Sequence, residues 1–184
     1  MKLMFASDLH GSRYYTEEML KCFQYEAPDT LILLGDLLYH GPRNDLPRAY
    51  DPKGVIELLN AIQEKLLCIR GNCDADVDQM VLKFPILASY AAIYAEGHRF
   101  YLTHGDAYHC DNLPPLMKGD TLIYGHTHIP LACWKDSIAC INPGSVSLPK
   151  QDSPHSYVIY ENHRFTFKDL SQQIYQTFSL PEQD

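Results

Sequence analysis

The sequence has no long hydrophobic run. No stretch approaches the roughly 20 apolar residues that span a bilayer. The apolar start, Met1 to Ala6, is too short for the core of a signal peptide. The chain is therefore expected to be cytoplasmic, with no membrane partner. There is no CxxC pair among the six cysteines, Cys22, Cys68, Cys73, Cys110, Cys133 and Cys140. Scattered cysteines in a reducing compartment read as free, mostly buried thiols rather than a disulfide framework. There is no repeat and no low-complexity segment. Basic residues are also scarce, 15 Lys and Arg against 23 Asp and Glu, for a net charge of −8. No basic stripe supplies the counterion-release term, which argues against extended nucleic acid as a partner. A small phosphorylated substrate stays open, because bound metal ions would supply positive charge locally.

What is present is an ordinary globular composition, 46% hydrophobic and 21% charged over 184 residues. That length is most simply one domain, spanning 1–184. Folding it buries roughly 70% of the unfolded surface. The first half alternates strand and helix signals. Leu3 to Ser7, Leu31 to Leu34 and Leu66 to Ile69 are short continuous apolar runs. Thr16 to Gln24 and Pro52 to Gln63 carry apolar residues at helical spacing, with Thr16 as the expected N-cap. Continuous apolar strands separated by helices indicate a parallel sheet covered on both faces. The second half is strand-rich: Ile86 to Ala95 with Arg99 to Thr103, Leu122 to Tyr124, Leu131 to Trp134 with Ile138 to Ile141, and Tyr157 to Tyr160 with Arg164 to Phe167. Such hairpins suggest a second sheet stacked on the first, with helices outside. Pro181 to Asp184 is expected to fray.

The chemistry lies at the strand ends. Five strands are each followed at once by metal-ligand types: Asp8-Leu9-His10, Gly35-Asp36, Gly71-Asn72, His104-Gly105 and Gly125-His126-Thr127-His128. In open α/β sheets, sites form beyond the carboxyl ends of the strands, so five loops converge there. The ligand set is two carboxylates, an amide and four imidazoles. Mixed oxygen and nitrogen donors suit Mn²⁺, Fe²⁺ or Zn²⁺ better than Mg²⁺ or Ca²⁺. Seven side chains exceed what one tetrahedral ion needs and are about right for two ions sharing a carboxylate. Strand-end turns with Asx caps explain one or two of these positions, not the ordered set.

That order, with Gly71-Asn72-Cys73-Asp74 in the third motif, resembles the calcineurin-like metallophosphoesterases, in particular their small phosphodiesterases. Asn142-Pro143-Gly144-Ser145-Val146 is also similar to the family's sequence. The resemblance implies an α/β, four-layer αββα sandwich of two stacked mixed β-sheets flanked by helices. It implies two divalent metal ions, Mn²⁺ foremost, with Zn²⁺, Fe²⁺, Ni²⁺ or Mg²⁺ as alternatives. Asp8, His10, Asp36 and His128 would hold one ion. Asp36, Asn72, His104 and His126 would hold the other, with Asp36 bridging. A hydroxide bridging the pair would attack phosphorus, so no protein nucleophile is required. Asp36, Asn72 and His104 thereby become the catalytic residues. Many relatives carry His after the Asn, thought to protonate the leaving oxygen or to stabilise the transition state. Here Cys73 takes that place, and a thiol of ordinary pKa is a poor cationic stabiliser. Asp74 is read either as orienting His104 or another ligand, or as a turn-forming Asx.

Other residues are less specific. The polar loop from Leu37 to Asp51 is long enough to be functional. Its Arg43 and Asn44 are candidates for contact with a substrate phosphate, and Arg43 equally for a solvated or loop-packing role; His40 reads as a surface residue that, just after Asp36, is also a candidate for substrate contact. His98, His109, His155 and His163 read as surface residues. Tyr14, Tyr15, Tyr39 and Tyr108 stand near the motif loops, where a ring stacks on a nucleoside or aryl group or packs at an edge. Trp134 and the exposed hairpins suit a homodimer or homotetramer. The leading reading is a phosphoric diester hydrolase acting on a small phosphodiester. Its alternatives are a phosphomonoesterase and a non-catalytic scaffold of the same fold. The complete ligand set favours an enzyme.

Overall fold

The structure is a computed structural model and describes residues 1–182; Gln183 and Asp184, the last two of the end expected to fray, lie outside the described residues. The first half builds βαβ units. Strand β1 (Leu3–Ala6) leads into α1 (Arg13–Glu26), then β2 (Thr30–Leu33), α2 (Pro52–Asn60) and β3 (Leu66–Cys68). The three strands pair in parallel, β1 with β2 and β2 with β3. Their apolar runs are continuous because both faces are covered. Met4, Ala6, Leu31 and Leu33 meet Met19, Val55 and Leu59 of the helices on one side. Leu3, Phe5, Ile32 and Leu34 face the second sheet on the other.

Helix α1 begins earlier than the apolar spacing predicts. Its N-cap is Ser12, whose hydroxyl accepts from the Tyr15 backbone N–H, and not Thr16. The hydroxyl of Thr16 instead donates back to the Ser12 carbonyl at 2.7 Å. The helix ends where Ala27 turns left-handed ahead of Pro28. Helix α2 is capped by Asp51, with Pro52 in its first turn.

The second half supplies β4 (Tyr90–Ala95), β5 (His98–Thr103), β6 (Thr121–Ile123), β7 (Pro130–Lys135), β8 (Ile138–Pro143), β9 (Ser156–Glu161), β10 (Arg164–Asp169) and β11 (Ile174–Ser179). The last three extend the first sheet, in the order β11-β10-β9-β1-β2-β3, while β4-β5-β6-β8-β7 form the second. Both sheets mix parallel and antiparallel pairs, as expected for the stacked sandwich. Strand β4 begins at Tyr90, four residues later than the predicted Ile86. The Ile86 N–H donates to the Gln79 side chain instead of joining the ladder. The inter-sheet core is aromatic, with Phe5, Phe100, Tyr160, Phe165 and Phe167 fully buried. Helices α1 and α2 cover the outside of the first sheet. Beyond the second sheet, irregular chain between residues 105 and 120 places Cys110, Leu113 and Leu116 on Leu122, Tyr124 and Cys140. His98 is buried, against the surface position expected of it, with its ring 3.1 Å from that of His163. No helix of the described residues is long and apolar enough to cross a membrane.

Candidate metal centre

Parallel strands point their carboxyl ends the same way, so the turns after β1, β2, β3, β5 and β6 gather at one edge of the sandwich. Sharp reversals there need unusual backbone. Asp8, His10, Asp36, His126 and His128 all adopt left-handed φ, between 48° and 64°. Gly35 and Gly71 let two of these turns pack backbone against backbone. A Cβ on Gly71 would collide with the backbone of Asp36, and one on Gly35 with the backbone of Gly71.

The structure brings all seven predicted ligands together. Nε2 of His10 and Nε2 of His128 lie 3.2 Å apart. Asp8 Oδ1 is 3.5 Å from the first and 3.3 Å from the second. Asp36 Oδ2 lies between two groups, 3.7 Å from His10 Nε2 and 3.5 Å from His104 Nε2. On the far side of His104 stand Asn72 Oδ1 at 3.0 Å and His126 Nδ1 at 3.1 Å. Three of the imidazoles are aimed from behind. The Nδ1 of His10 bonds the Tyr39 carbonyl, that of His104 the Leu34 carbonyl and that of His128 the Leu148 carbonyl, at 2.8, 2.7 and 2.6 Å. Each such bond places N–H at Nδ1 and leaves Nε2 free for a cation.

These residues fit a metal. Asp8 Oδ1 is buried and has no hydrogen-bond partner among the described residues. Two imidazole Nε2 atoms face each other across 3.2 Å, an arrangement that wants a positive charge between them. The charges around them agree. Burial pushes the Asp8 carboxyl up, but the imidazoles of His10, His128 and His104 close around it outweigh that and leave it well below the usual carboxylate range. Burial likewise pushes Asp36 up, and His104 pulls it below its ordinary value. Burial lowers His104, yet the carboxylates of Asp36 and Asp8 raise it to about 9. His126 is pushed down by burial and by His104 beside it.

A cavity of about 540 Å³ opens over the cluster, walled by Arg43, Asn44, Cys73, Thr127 and Lys150 together with His10, Asp36, Asn72, His126 and His128. Arg43 and Asn44 therefore reach the site. His40 does not line this cavity; its ring packs edge-on between Tyr39 and Tyr50 at 4.8 and 5.2 Å. Tyr14 lies under the Arg48 guanidinium at 3.6 Å, and Tyr15 stacks on His155 at 3.9 Å, so both are packing residues. Trp134 is half exposed against Phe178. Cys73 stands within 4.8 Å of the ligand atoms of His10 and Asp36. Burial and the Asp36 charge push its thiol up to about 12.

Asp74 does not touch His104. Its carboxylate accepts from the backbone N–H groups of Asp36 and Gly71 at 2.8 and 2.7 Å, and of Leu37 at 2.8 Å. It ties the turn carrying Asp36 to the turn carrying Asn72. Burial and the Asp36 charge push its carboxyl up, against those three donors. Ser145 and Ser147 do the same for Asp8, both hydroxyls donating to its carbonyl at 2.8 and 2.9 Å. Asn142 donates to the Gly125 carbonyl at 2.7 Å and steadies the His126 turn. The Asn142 to Val146 segment is visible in the sequence as a similarity, but not as a clamp. Lys150 has no sequence signal at all.

Residues 1–164 match the family model described as the calcineurin-like phosphoesterase superfamily domain. The chain belongs to that superfamily. It is 49% identical over 162 residues to phosphodiesterase YfcE of Escherichia coli strain K12, covering 88% of each chain. The structure of YfcE, described as a phosphoesterase from E. coli, superposes with a TM-score of 0.95 at 46% identity, covering 98% of this chain and 100% of that one. More distant solved structures share the fold alone. One is an archaeal phosphodiesterase, at TM-score 0.64 and 18% identity, with 98% of this chain and 100% of that one covered. Another is Vps29 from Cryptosporidium parvum, at TM-score 0.62 and 16% identity, with 97% of each chain covered.

Proposed function

We propose that this chain is a metal-dependent phosphodiesterase with a dinuclear centre, acting on a small phosphodiester. One observation carries the reading. The Asp36 carboxylate stands between two half-sites, with His10, Asp8 and His128 on one side and His104, Asn72 and His126 on the other. A carboxylate so placed is suited to serve both ions. The mixed donor set favours Mn²⁺, Fe²⁺ or Zn²⁺, and of these we propose Mn²⁺. Two such ions, when bound, make a water nucleophilic at neutral pH and screen the charge building on the phosphoryl oxygens.

The chain's own residues do the rest. Carbonyls behind His10, His104 and His128 hold the rings in the metal-binding tautomer. Asp74, Ser145 and Ser147 hold the ligand backbone in place. Arg43 and Lys150 line the open cavity and offer positive charge to the phosphate and to the departing oxygen. Cys73, held protonated at neutral pH, adds no positive charge. With the motif histidine's proton missing at that position, esters whose leaving groups depart unprotonated are the better substrates. Similarity to YfcE, a named phosphodiesterase, supports the same activity class.

The test is turnover of bis-p-nitrophenyl phosphate by chelator-treated protein, with and without added Mn²⁺. Hydrolysis that appears with the metal supports the reading. A folded, metal-loaded protein inert across Mn²⁺, Zn²⁺, Ni²⁺ and Mg²⁺ refutes it. A rate on p-nitrophenyl phosphate exceeding the diester rate would move the assignment to a phosphomonoesterase.

A further inference from the structure

A second cavity, of about 380 Å³, shares Asn72 with the first and runs from it toward β4 and β5. Its wall carries Tyr90, Tyr101 and Tyr108 together with Arg70. None of these four has a part in the metal centre. Strand pairing assembles the aromatic wall. Tyr101 lies opposite Ala92 in the β4–β5 register, so Tyr90, two residues along, becomes its diagonal neighbour. The two rings stack at 5.4 Å between centroids and 9° between planes. Tyr90 remains 62% exposed and Tyr108 38% exposed, so rings of this size stand in water beside the ligand Asn72. Arg70 is held at the same wall by the Asp74 carbonyl at 3.1 Å and by Asp76 at 3.2 Å.

A phosphodiester has two arms on phosphorus, one that leaves and one that stays. The cations suited to a departing oxygen, Arg43 and Lys150, line the first cavity. The second is left for the arm that stays, and stacked tyrosines suit a planar ring there. We infer that the Tyr90–Tyr101–Tyr108 cavity is a subsite for a planar aromatic retained arm of the diester, an aryl group or a nucleoside. This rests on the phosphodiesterase reading above.

The experiment uses the full Mn²⁺-loaded chain and four mixed diesters with one common leaving group, p-nitrophenolate. Their retained arms are methyl, cyclohexyl, phenyl and 5′-thymidine. The phenyl and thymidine esters are expected to exceed the methyl ester in kcat/KM by about ten- to hundred-fold, the range stacking on one aromatic side chain supplies. The cyclohexyl ester, as bulky but not planar, stays near the methyl value. Tyr90→Ala reduces the phenyl-to-methyl ratio by about ten-fold, and Tyr90→Phe, which keeps the ring, restores it. Tyr108→Ala, in an exposed loop, gives a second reading if the β4 variant folds poorly. Thymidine above phenyl assigns a nucleoside arm, and phenyl at or above thymidine a simple aryl arm. A flat series, or an aromatic preference that survives both alanine variants, overturns the subsite and leaves the phosphodiesterase standing. Inertness toward all four esters brings down the activity itself, and the subsite with it.

Discussion

Asp74→Asn tests the tie between the two metal-binding turns. The asparagine has the same shape but can accept with only one oxygen. If its oxygen stays on the shared donors of Asp36 and Gly71, its amide N–H faces the Leu37 N–H, donor against donor. One buried N–H then loses its partner, at a cost of about 1–3 kcal/mol, and the two remaining bonds lose their charge assistance. Together this is about 3 kcal/mol, or a fall in Tm of about 6–12 °C for a domain of this size. Displacing the Asp36 backbone should also weaken metal binding by about 10–100-fold. Urea unfolding of the metal-free variant reads the first effect, and Mn²⁺ titration of the folded variant reads the second. Asp76→Asn is the control. Asp76 is largely exposed and pairs only with Arg70 at the surface, so its loss should cost less than about 0.5 kcal/mol. An Asp74→Asn protein as stable as the control, with undiminished metal affinity, would refute the tie.

Asp36→Asn should lower turnover far more than Cys73→Ser, because the carboxylate faces both half-sites while the thiol is neutral; comparable losses at equal folding would reverse that ranking. His104, raised to about 9 without metal, is protonated at pH 7, so metal loading should release protons and affinity should climb as pH rises toward 9; calorimetry in buffers of different ionisation enthalpy measures this, and a buffer-independent heat contradicts it. Added Mn²⁺ at about 100 times its dissociation constant should stabilise the fold by about 2.7 kcal/mol, read as a higher Tm that a chelator reverses. Glu26 is buried, and bonds from Lys168, Lys2 and Tyr157 outweigh its burial and keep its pKa below the ordinary value. A depressed carboxyl contributes stability above its unfolded pKa and loses it as pH falls through the folded one. Glu26→Gln should therefore cost about 3 kcal/mol at pH 7 and progressively less as pH falls below the ordinary carboxyl range, by urea unfolding across that series.

The gathering of the seven candidate ligands was legible because each follows closely on an apolar strand, so local pattern and placement coincide. The parallel β1–β2–β3 core was legible for the same reason: runs such as Leu31 to Leu34 are covered on both faces. What pairing decides was not. Nothing in the spacing of Tyr90 and Tyr101 says they are neighbours until the β4–β5 register is known. His98 reads as a surface residue in the sequence and is buried, because the β4–β5 turn lies under the β9–β10 turn and its ring meets that of His163. Helix α1 starts at Arg13 rather than at Thr16 because Ser12 is capped by its surroundings, its hydroxyl also donating to the distant Arg48 carbonyl. The part played by Asp74 was hidden because its partners are backbone groups, which carry no sequence signature.

Five of the seven candidate ligands occupy left-handed backbone, where a residue with a Cβ costs roughly 1–2 kcal/mol more than glycine does. Glycine at any of those five positions would relax the chain while abolishing a donor. A laboratory selection that rewarded heat tolerance alone, without substrate, would drift toward such replacements and converge on a sturdier but inert sandwich. The edge that carries the candidate metal centre is thus the part of the molecule that only continued use preserves.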